Sequence, residues 1–84
     1  MTEEEQRYSA TLSRIAGAGE VRLSIFYAQS PSSFGSGSRQ PAGAVIVARG
    51  ADSVRVRLEL LRAAEALLGL SAQEVEVFAM EAFP

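Results

Sequence analysis

The chain lacks cysteine, histidine, tryptophan and lysine altogether among its 84 residues. Without cysteine and histidine it has no disulfide, no thiolate or imidazole nucleophile, and none of the usual zinc or haem ligands. Its serines have neither a histidine nor a lysine to activate them as nucleophiles. We therefore expect neither an enzyme nor a protein that holds a metal or a cofactor.

The chain also lacks a strong excess of either charge. The chain has ten acidic residues and eight basic residues, and every basic residue is arginine. The net charge is -2. This balance gives no electrostatic reason to expect nucleic acid or an anionic membrane surface as a partner. No apolar run approaches the roughly 20 residues that span a bilayer, and Glu3, Glu4 and Glu5 stand where a signal peptide would be basic. Any membrane anchor is expected outside this chain.

What is present fits one small domain, residues 1–84. Hydrophobic residues make up 48% of the chain, which is enough for a core of this size. Residues 43–80 predict a strand, a helix and a second strand joined by short turns. Residues 44–48 are a short run of small and β-branched residues, typical of a strand covered on both faces. Residues 74–79 alternate charged and apolar side chains, the period of a half-exposed strand.

The helix between these strands has more apolar surface than one sheet face needs, and Gly69 is placed to end it. Its apolar residues form two neighbouring stripes, Val54, Leu58, Leu61, Ala64 and Leu68, and Val56, Leu60, Ala63 and Leu67. Either both stripes belong to the core, or the second partly meets a neighbouring subunit. In the second case its outer members are exposed in the monomer.

The N-terminal half predicts a helix and a strand. Thr2 and Glu5 have the spacing of a capping box, and the helix is expected over residues 3–16. Residues 20–28 alternate in the manner of a strand, and Phe26 indicates that its second face is partly covered. Residues 29–41, rich in serine, glycine and proline, predict a loop that is either a flexible connection or a binding or assembly loop.

This order of elements predicts an α+β fold. Helix, strand, strand, helix and strand (αββαβ) give a three-stranded mixed sheet with both helices packed on one face. The strand order stays open at this point.

Two segments together resemble a known family. The first places Tyr8, Leu12 and Ile15 before Gly17-Ala18-Gly19-Glu20-Val21; the second covers residues 43–52 and continues through residues 56–58 and 67–70 to Val75-Glu76-Val77. Their order and spacing resemble the extracytoplasmic domain of stage III sporulation protein AG. That family belongs to the ring-building-motif domains, which also occur in the basal rings of type III secretion systems and flagella.

The resemblance implies a structural subunit that self-associates, or pairs with homologous proteins, in a ring of the channel between mother cell and forespore. It implies an extracytoplasmic location between the two membranes and a single-pass anchor upstream of this chain. The implied partners are further copies and other stage III sporulation channel proteins. Family members can carry a long β-rich insertion where this chain has only residues 29–41.

Charged residues are the candidates for the contact with a neighbour. They are Arg22, Arg55, Glu59, Arg62, Glu74 and Glu76. Both signs suit a heterologous contact, which closes into a ring when the rotation allows. An ordinary solvated surface is the other interpretation, because exposed ion pairs contribute little. Glu74 and Glu76 also resemble a pair of catalytic carboxylates, but a solvent face or the protection of a strand edge explains them without chemistry.

Two other functions stay open on the sequence. A small ligand-binding or regulatory α+β domain needs a concave pocket with convergent polar groups. A KH-like nucleic-acid-binding module needs a GxxG loop and a basic groove, and this sequence has no GxxG and is acidic.

Overall fold

The computed structural model describes residues 2–28 and 40–81. The helices and strands are α1 (Glu3–Leu12), β1 (Val21–Ala28), β2 (Gln40–Ala48), α2 (Val54–Leu68) and β3 (Val75–Ala79), with 3₁₀ turns at Arg49–Asp52 and Ala72–Glu74. This is the predicted αββαβ order. The predicted loop was too long at its C-terminal end, since Gln40 and Pro41 already belong to β2; its residues 29–39 lie outside the described residues.

The three strands form one mixed sheet with β2 in the centre. β1 and β2 are antiparallel, whereas β2 and β3 are parallel, as a helical connection between them requires. The register places Ile46 between Leu23 and Val77. The predicted three-stranded mixed sheet is therefore confirmed, and its order along the sheet is β1-β2-β3.

The core lies between the sheet and the two helices, which cover the same sheet face. Its largest fully buried side chains come from both layers and are Leu12, Leu23, Ile46, Val56 and Leu60. The opposite face carries the exposed residues of β1 and β3, among them Phe26, which is 58% exposed. No described helix packs on that side, and the expectation that Phe26 marks a partly covered second face stays a prediction.

Helix α2 ends where Gly69 predicted, and both of its ends carry local signals. The Ser53 hydroxyl accepts a hydrogen bond from the Val56 amide, and Gly69 has the left-handed backbone that ends a helix. The buried Leu70 donates its amide to the Glu65 carbonyl at 3.2 Å. This hydrogen bond is the one that closes a Schellman motif.

The two predicted stripes of α2 do not divide core from surface. The buried row is Val56, Leu60, Ala64 and Leu68, which takes members from both stripes. This buried row faces the sheet. Each predicted stripe therefore contains both buried and more exposed residues. The strongly exposed members are Val54 and Leu58 of the first stripe, and not those of the second.

Helix α1 is shorter than predicted and ends at Leu12. After Leu12 the chain forms 3₁₀ turns. The Arg14 amide donates to the Thr11 carbonyl, and the Ile15 amide donates to the Leu12 carbonyl. These turns keep Ile15 packed against the core, which is why the helical spacing persists beyond the helix. The predicted reversal follows, with positive φ at Gly17 and Gly19.

The start of α1 covers the free edge of β1. The Ser9 hydroxyl accepts a hydrogen bond from the Leu23 amide at 3.0 Å, and a Glu5 carboxylate oxygen accepts one from the Ile25 amide at 2.7 Å. The other Glu5 oxygen accepts the Thr2 amide, which confirms the predicted capping box. Two side chains of α1 thus take the place of a neighbouring strand.

We expect Ser9→Ala to lower the free energy of unfolding by about 1–3 kcal/mol, because the buried Leu23 amide loses its acceptor. Urea denaturation followed by circular dichroism measures the loss. Ser13→Ala is the matched control, since within residues 2–28 and 40–81 that hydroxyl donates to the Ala10 carbonyl at the exposed helix end, and its loss should cost less than about 0.5 kcal/mol. Equal losses in the two variants would contradict a stabilising role for the edge bond.

Glu5 also makes stability depend on pH. The hydrogen bonds from the Ile25 and Thr2 amides hold the pKa of the Glu5 carboxyl below its ordinary value. A carboxyl with a lower pKa in the folded state stabilises the fold above its unfolded pKa of about 4.3 and loses that contribution as pH falls through the folded pKa. We expect Glu5→Gln to have a lower melting temperature than wild type at neutral pH. The difference between the two melting temperatures should shrink as the pH is lowered. A gap that stays constant would contradict this.

Candidate association surfaces

The side of the sheet opposite the two helices forms the first candidate surface. This open sheet face consists of Arg22, Ser24, Phe26, Val45, Val47, Glu76 and Phe78. The register places Val47 between Arg22 and Phe78 and places Val45 between Ser24 and Glu76. Phe26 and Phe78 are both more than half exposed. Exposed aromatic residues beside aliphatic neighbours, rimmed by charge, are typical of a protein contact surface.

A shallow groove of about 530 Å³ runs along one end of the open sheet face. Its lining residues are Glu20, Arg22, Ser24, Val45, Val47, Arg49, Met80 and Glu81. The Glu20 carboxylate pairs with Arg22 at 3.2 Å and with Arg49 at 3.4 Å, and the exposed fractions of the three side chains lie between 43% and 67%. The groove is therefore open to solvent, and Glu20, Arg22 and Arg49 are paired with one another, unlike the convergent groups of a small-molecule site.

The second candidate surface lies on α2, facing away from the sheet. The α2 outer face consists of Val54, Arg55, Leu58, Glu59 and Arg62. Val54 and Leu58 are 70% and 53% exposed and lie one helical turn apart. Arg55 pairs with Glu59 at 3.0 Å and also donates to the Ala16 carbonyl at 3.2 Å. The surface therefore combines two exposed apolar side chains with charges of both signs.

The comparison with known proteins gives the family. The family model described as the SpoIIIAG C-terminal domain matches residues 29–81, which is more than half of the chain. The chain belongs to the SpoIIIAG C-terminal domain family. Membership of this family implies a sporulation channel protein, as the resemblance to stage III sporulation protein AG predicted. No curated protein matches the chain.

The match to the SpoIIIAG C-terminal domain includes β2, α2 and β3, whereas α1 and β1 precede it. The α2 outer face lies wholly inside the matched residues, and the open sheet face lies partly inside. The SpoIIIAG family is a structural component of the sporulation channel. Among the described residues, no group of three or more acidic side chains is arranged to hold a metal ion. No helix within residues 2–28 and 40–81 has the length and apolarity to cross a membrane.

Five of the six charged candidates lie on the two surfaces of this SpoIIIAG-family chain. Arg22 and Glu76 belong to the open sheet face, and Arg55, Glu59 and Arg62 belong to the α2 outer face. Glu74 lies apart from both, in the second 3₁₀ turn. Its carboxylate accepts hydrogen bonds from the amide and the hydroxyl of Ser71, as part of a capping box at that turn. All six remain predictions as contact residues.

The contact candidates chosen from the sequence were all charged, so they did not include the exposed apolar residues of this SpoIIIAG-family domain. They are Phe26, Phe78, Val54 and Leu58. A signal for the two phenylalanines was present, because strand alternation places Phe26 opposite the buried Ile25 and Phe78 opposite Val77. No comparable local signal distinguishes Val54 and Leu58 from the buried residues of α2.

Proposed function

We propose that this SpoIIIAG-family domain is a structural subunit that associates with its neighbours to form a ring in the sporulation channel between mother cell and forespore. The contact joins the open sheet face of one copy to the α2 outer face of the next. Family membership supports a channel role. The observation that most supports the proposed ring is that the domain exposes two apolar surfaces. One has Phe26 and Phe78, and the other has Val54 and Leu58.

The placement of these two surfaces favours a repeating contact. The helices cover one face of the sheet, so the open sheet face and the α2 outer face lie on opposite sides of a two-layer domain. A contact between two different surfaces is heterologous, and each copy keeps one surface free for the next. Such a contact produces a ring when the rotation closes and a filament when it does not.

Charge complementarity supports the same pairing. The open sheet face has Arg22 and Glu76 beside its phenylalanines, and the α2 outer face has Glu59 and Arg62 beside its aliphatic residues. Opposite charges can therefore meet in one orientation, with the apolar residues in the centre. Such complementarity selects the partner and the orientation more than it adds affinity.

In this proposal the domain lies outside the cytoplasm, between the two membranes. A single-pass membrane anchor N-terminal to this chain holds it there, and concentrating copies on a surface favours the ring. Its partners are further copies and other stage III sporulation channel proteins. The family match supports this location and these partners.

Single-cysteine variants test the contact cleanly, because these 84 residues include no cysteine. Ser24→Cys marks the open sheet face and Leu58→Cys marks the α2 outer face. Mixed under mild oxidation on a membrane surface, the two should form a disulfide-linked heterodimer on a non-reducing gel. Arg14→Cys mixed with either variant is the control and should give little product.

Two outcomes contradict the proposed contact. Strong homodimers of Ser24→Cys would show that two open sheet faces meet, which forms a closed pair and stops there. Equal cross-linking of all three variants would show random collision and no specific contact.

A further inference from the structure

The two edges of the sheet differ in whether their outward backbone groups have hydrogen-bond partners. On the β1 edge, Ser9 and Glu5 accept hydrogen bonds from the outward amides of Leu23 and Ile25. That edge is closed to a further strand. The β3 edge has no such cover among residues 2–28 and 40–81.

The backbone groups of β3 show which positions are open. The Met80 amide donates to the Ala48 carbonyl at 2.8 Å, so it points toward β2. Because successive residues of a strand point to opposite sides, Val77 and Ala79 direct their amide and carbonyl groups away from β2. The outward Val75 amide bonds to the Ala72 carbonyl, whereas no described residue bonds to the outward groups of Val77 and Ala79. This is an unpaired strand edge.

The charged residues of β3 and of the segments directly before and after it are all acidic. From residue 63 to the end of the chain there is no base, and the four charged residues are Glu65, Glu74, Glu76 and Glu81. Glu76 lies within β3 and is exposed, and Glu74 and Glu81 flank the strand. An extended segment that pairs with β3 would therefore lie beside the exposed carboxylate of Glu76.

We propose that the free edge of β3 binds an extended, basic segment of another protein by strand addition. The backbone of Val77 and Ala79 supplies the hydrogen bonds, and the carboxylates select an arginine or a lysine at the positions opposite Glu76. Side chains on the other face of the added strand lie beside the half-buried Val77, where small apolar residues fit. The partner is thus a segment that alternates basic and apolar residues.

A second copy of this chain fits the edge poorly. Two β3 strands side by side would bring carboxylates of the same sign together, which is unfavourable. Arg22 is the only base within the three described strands, and it belongs to β1, whose outer edge is closed. The backbone groups of Val77 and Ala79 lie outside both surfaces of the proposed ring contact, and only Glu76 also belongs to the open sheet face, so strand addition does not require the ring.

Fluorescently labelled peptides test the inference directly. The probe is an octapeptide of alternating arginine and valine, and the controls are a glutamate–valine octapeptide and an arginine–valine octapeptide N-methylated at alternate backbone positions. We expect the first probe to bind at least about threefold more tightly than the glutamate peptide for each opposed charge pair. N-methylation should abolish binding, because strand addition needs the peptide amides.

Matched protein variants separate the edge from general charge attraction. Glu76→Arg should reverse the preference between the basic and acidic peptides, whereas Glu59→Arg, the same charge change on α2, should leave it in place. Equal effects of the two substitutions, or equal binding of the N-methylated peptide, would overturn the proposal.

Hydrogen exchange provides a second readout on the unmodified protein. Binding of the arginine–valine peptide should slow the exchange of the Val77 and Ala79 amides and leave those of Leu23 and Ile25 unchanged. Slower exchange at Val77 and Ala79 on raising the protein concentration alone would show that a second copy occupies the edge, which would also overturn the proposal.

Discussion

Replacing Gly50 with alanine is expected to destabilise the protein by more than about 3 kcal/mol, enough to leave a domain of this size largely unfolded. A Cβ atom at this position would collide with the Gly17 carbonyl oxygen and would lie 2.8 Å from the Gly17 carbonyl carbon. It would also lie 3.1 Å from the Ala18 Cα. All three are backbone atoms of a reversal, so no flexible side chain can move aside to make room.

Two other glycines are matched controls for this substitution. Gly69→Ala meets nothing within 4 Å, so its cost is only the strain of a left-handed residue with a Cβ, about 1–2 kcal/mol. Gly43→Ala makes an ordinary contact of 3.4 Å with the Glu74 carbonyl. Thermal and urea unfolding should rank Gly50→Ala far below both. A Gly50→Ala protein as stable as Gly43→Ala would mean that the close approach to Gly17 does not exist.

The contact at Gly50 is costly to lose because it joins two parts of the chain. The Gly50 amide donates to the Ala18 carbonyl at 2.9 Å, and the neighbouring Arg49 amide donates to the Glu20 carbonyl at 3.0 Å. Residues 18 and 20 precede the portion that matches the family model, and residues 49 and 50 lie inside it. These bonds attach α1 and β1 to the β2-α2-β3 unit that carries the family match.

Placing a charge in either apolar surface is expected to stop association without unfolding the domain. Phe78→Glu on the open sheet face, or Leu58→Glu on the α2 outer face, should weaken self-association by about 30-fold or more, because a central contact residue contributes about 2 kcal/mol or more. Both side chains are more than half exposed in the monomer, so the free energy of unfolding should change by less than about 0.5 kcal/mol. Arg14→Glu is the control and should associate like wild type.

Mixing the two variants gives a sharper result than either alone. Phe78→Glu retains an intact α2 outer face, and Leu58→Glu retains an intact open sheet face. A mixture should therefore form dimers and nothing larger, since only one intact contact is possible. Sedimentation velocity distinguishes dimers from larger species. A mixture that stays monomeric while wild type associates would contradict the heterologous contact.

The sequence predicted those elements whose limits depend on neighbouring residues in the chain. Ser53 and Gly69 define both ends of α2, and Thr2 with Glu5 defines the start of α1. The end of α1 was placed too late because 3₁₀ turns after Leu12 keep a helical spacing. The start of β2 was placed too late because Pro41 resembles a loop residue, although it pairs with Tyr27 in the sheet.

The candidate surfaces were less predictable because exposure depends on packing between distant elements. The row of α2 that faces the sheet is set by how the helix lies across β2 and β3, and no local pattern separates Leu58 from Leu60. The cover of the β1 edge by Ser9 and Glu5 joins residues 14 and 20 positions apart, and capping spacing indicates only the Thr2 bond of Glu5. The charged candidates were easier to name, because charge at these helix and strand positions reads directly from the sequence.

Sedimentation equilibrium over a wide concentration range, repeated with the domain tethered to vesicles and with other stage III sporulation channel proteins added, tests the central claim most directly. The account predicts assemblies that grow beyond a dimer through one repeated contact. A protein that stays monomeric at the highest concentration and on vesicles, and that binds none of the other channel proteins, would contradict it.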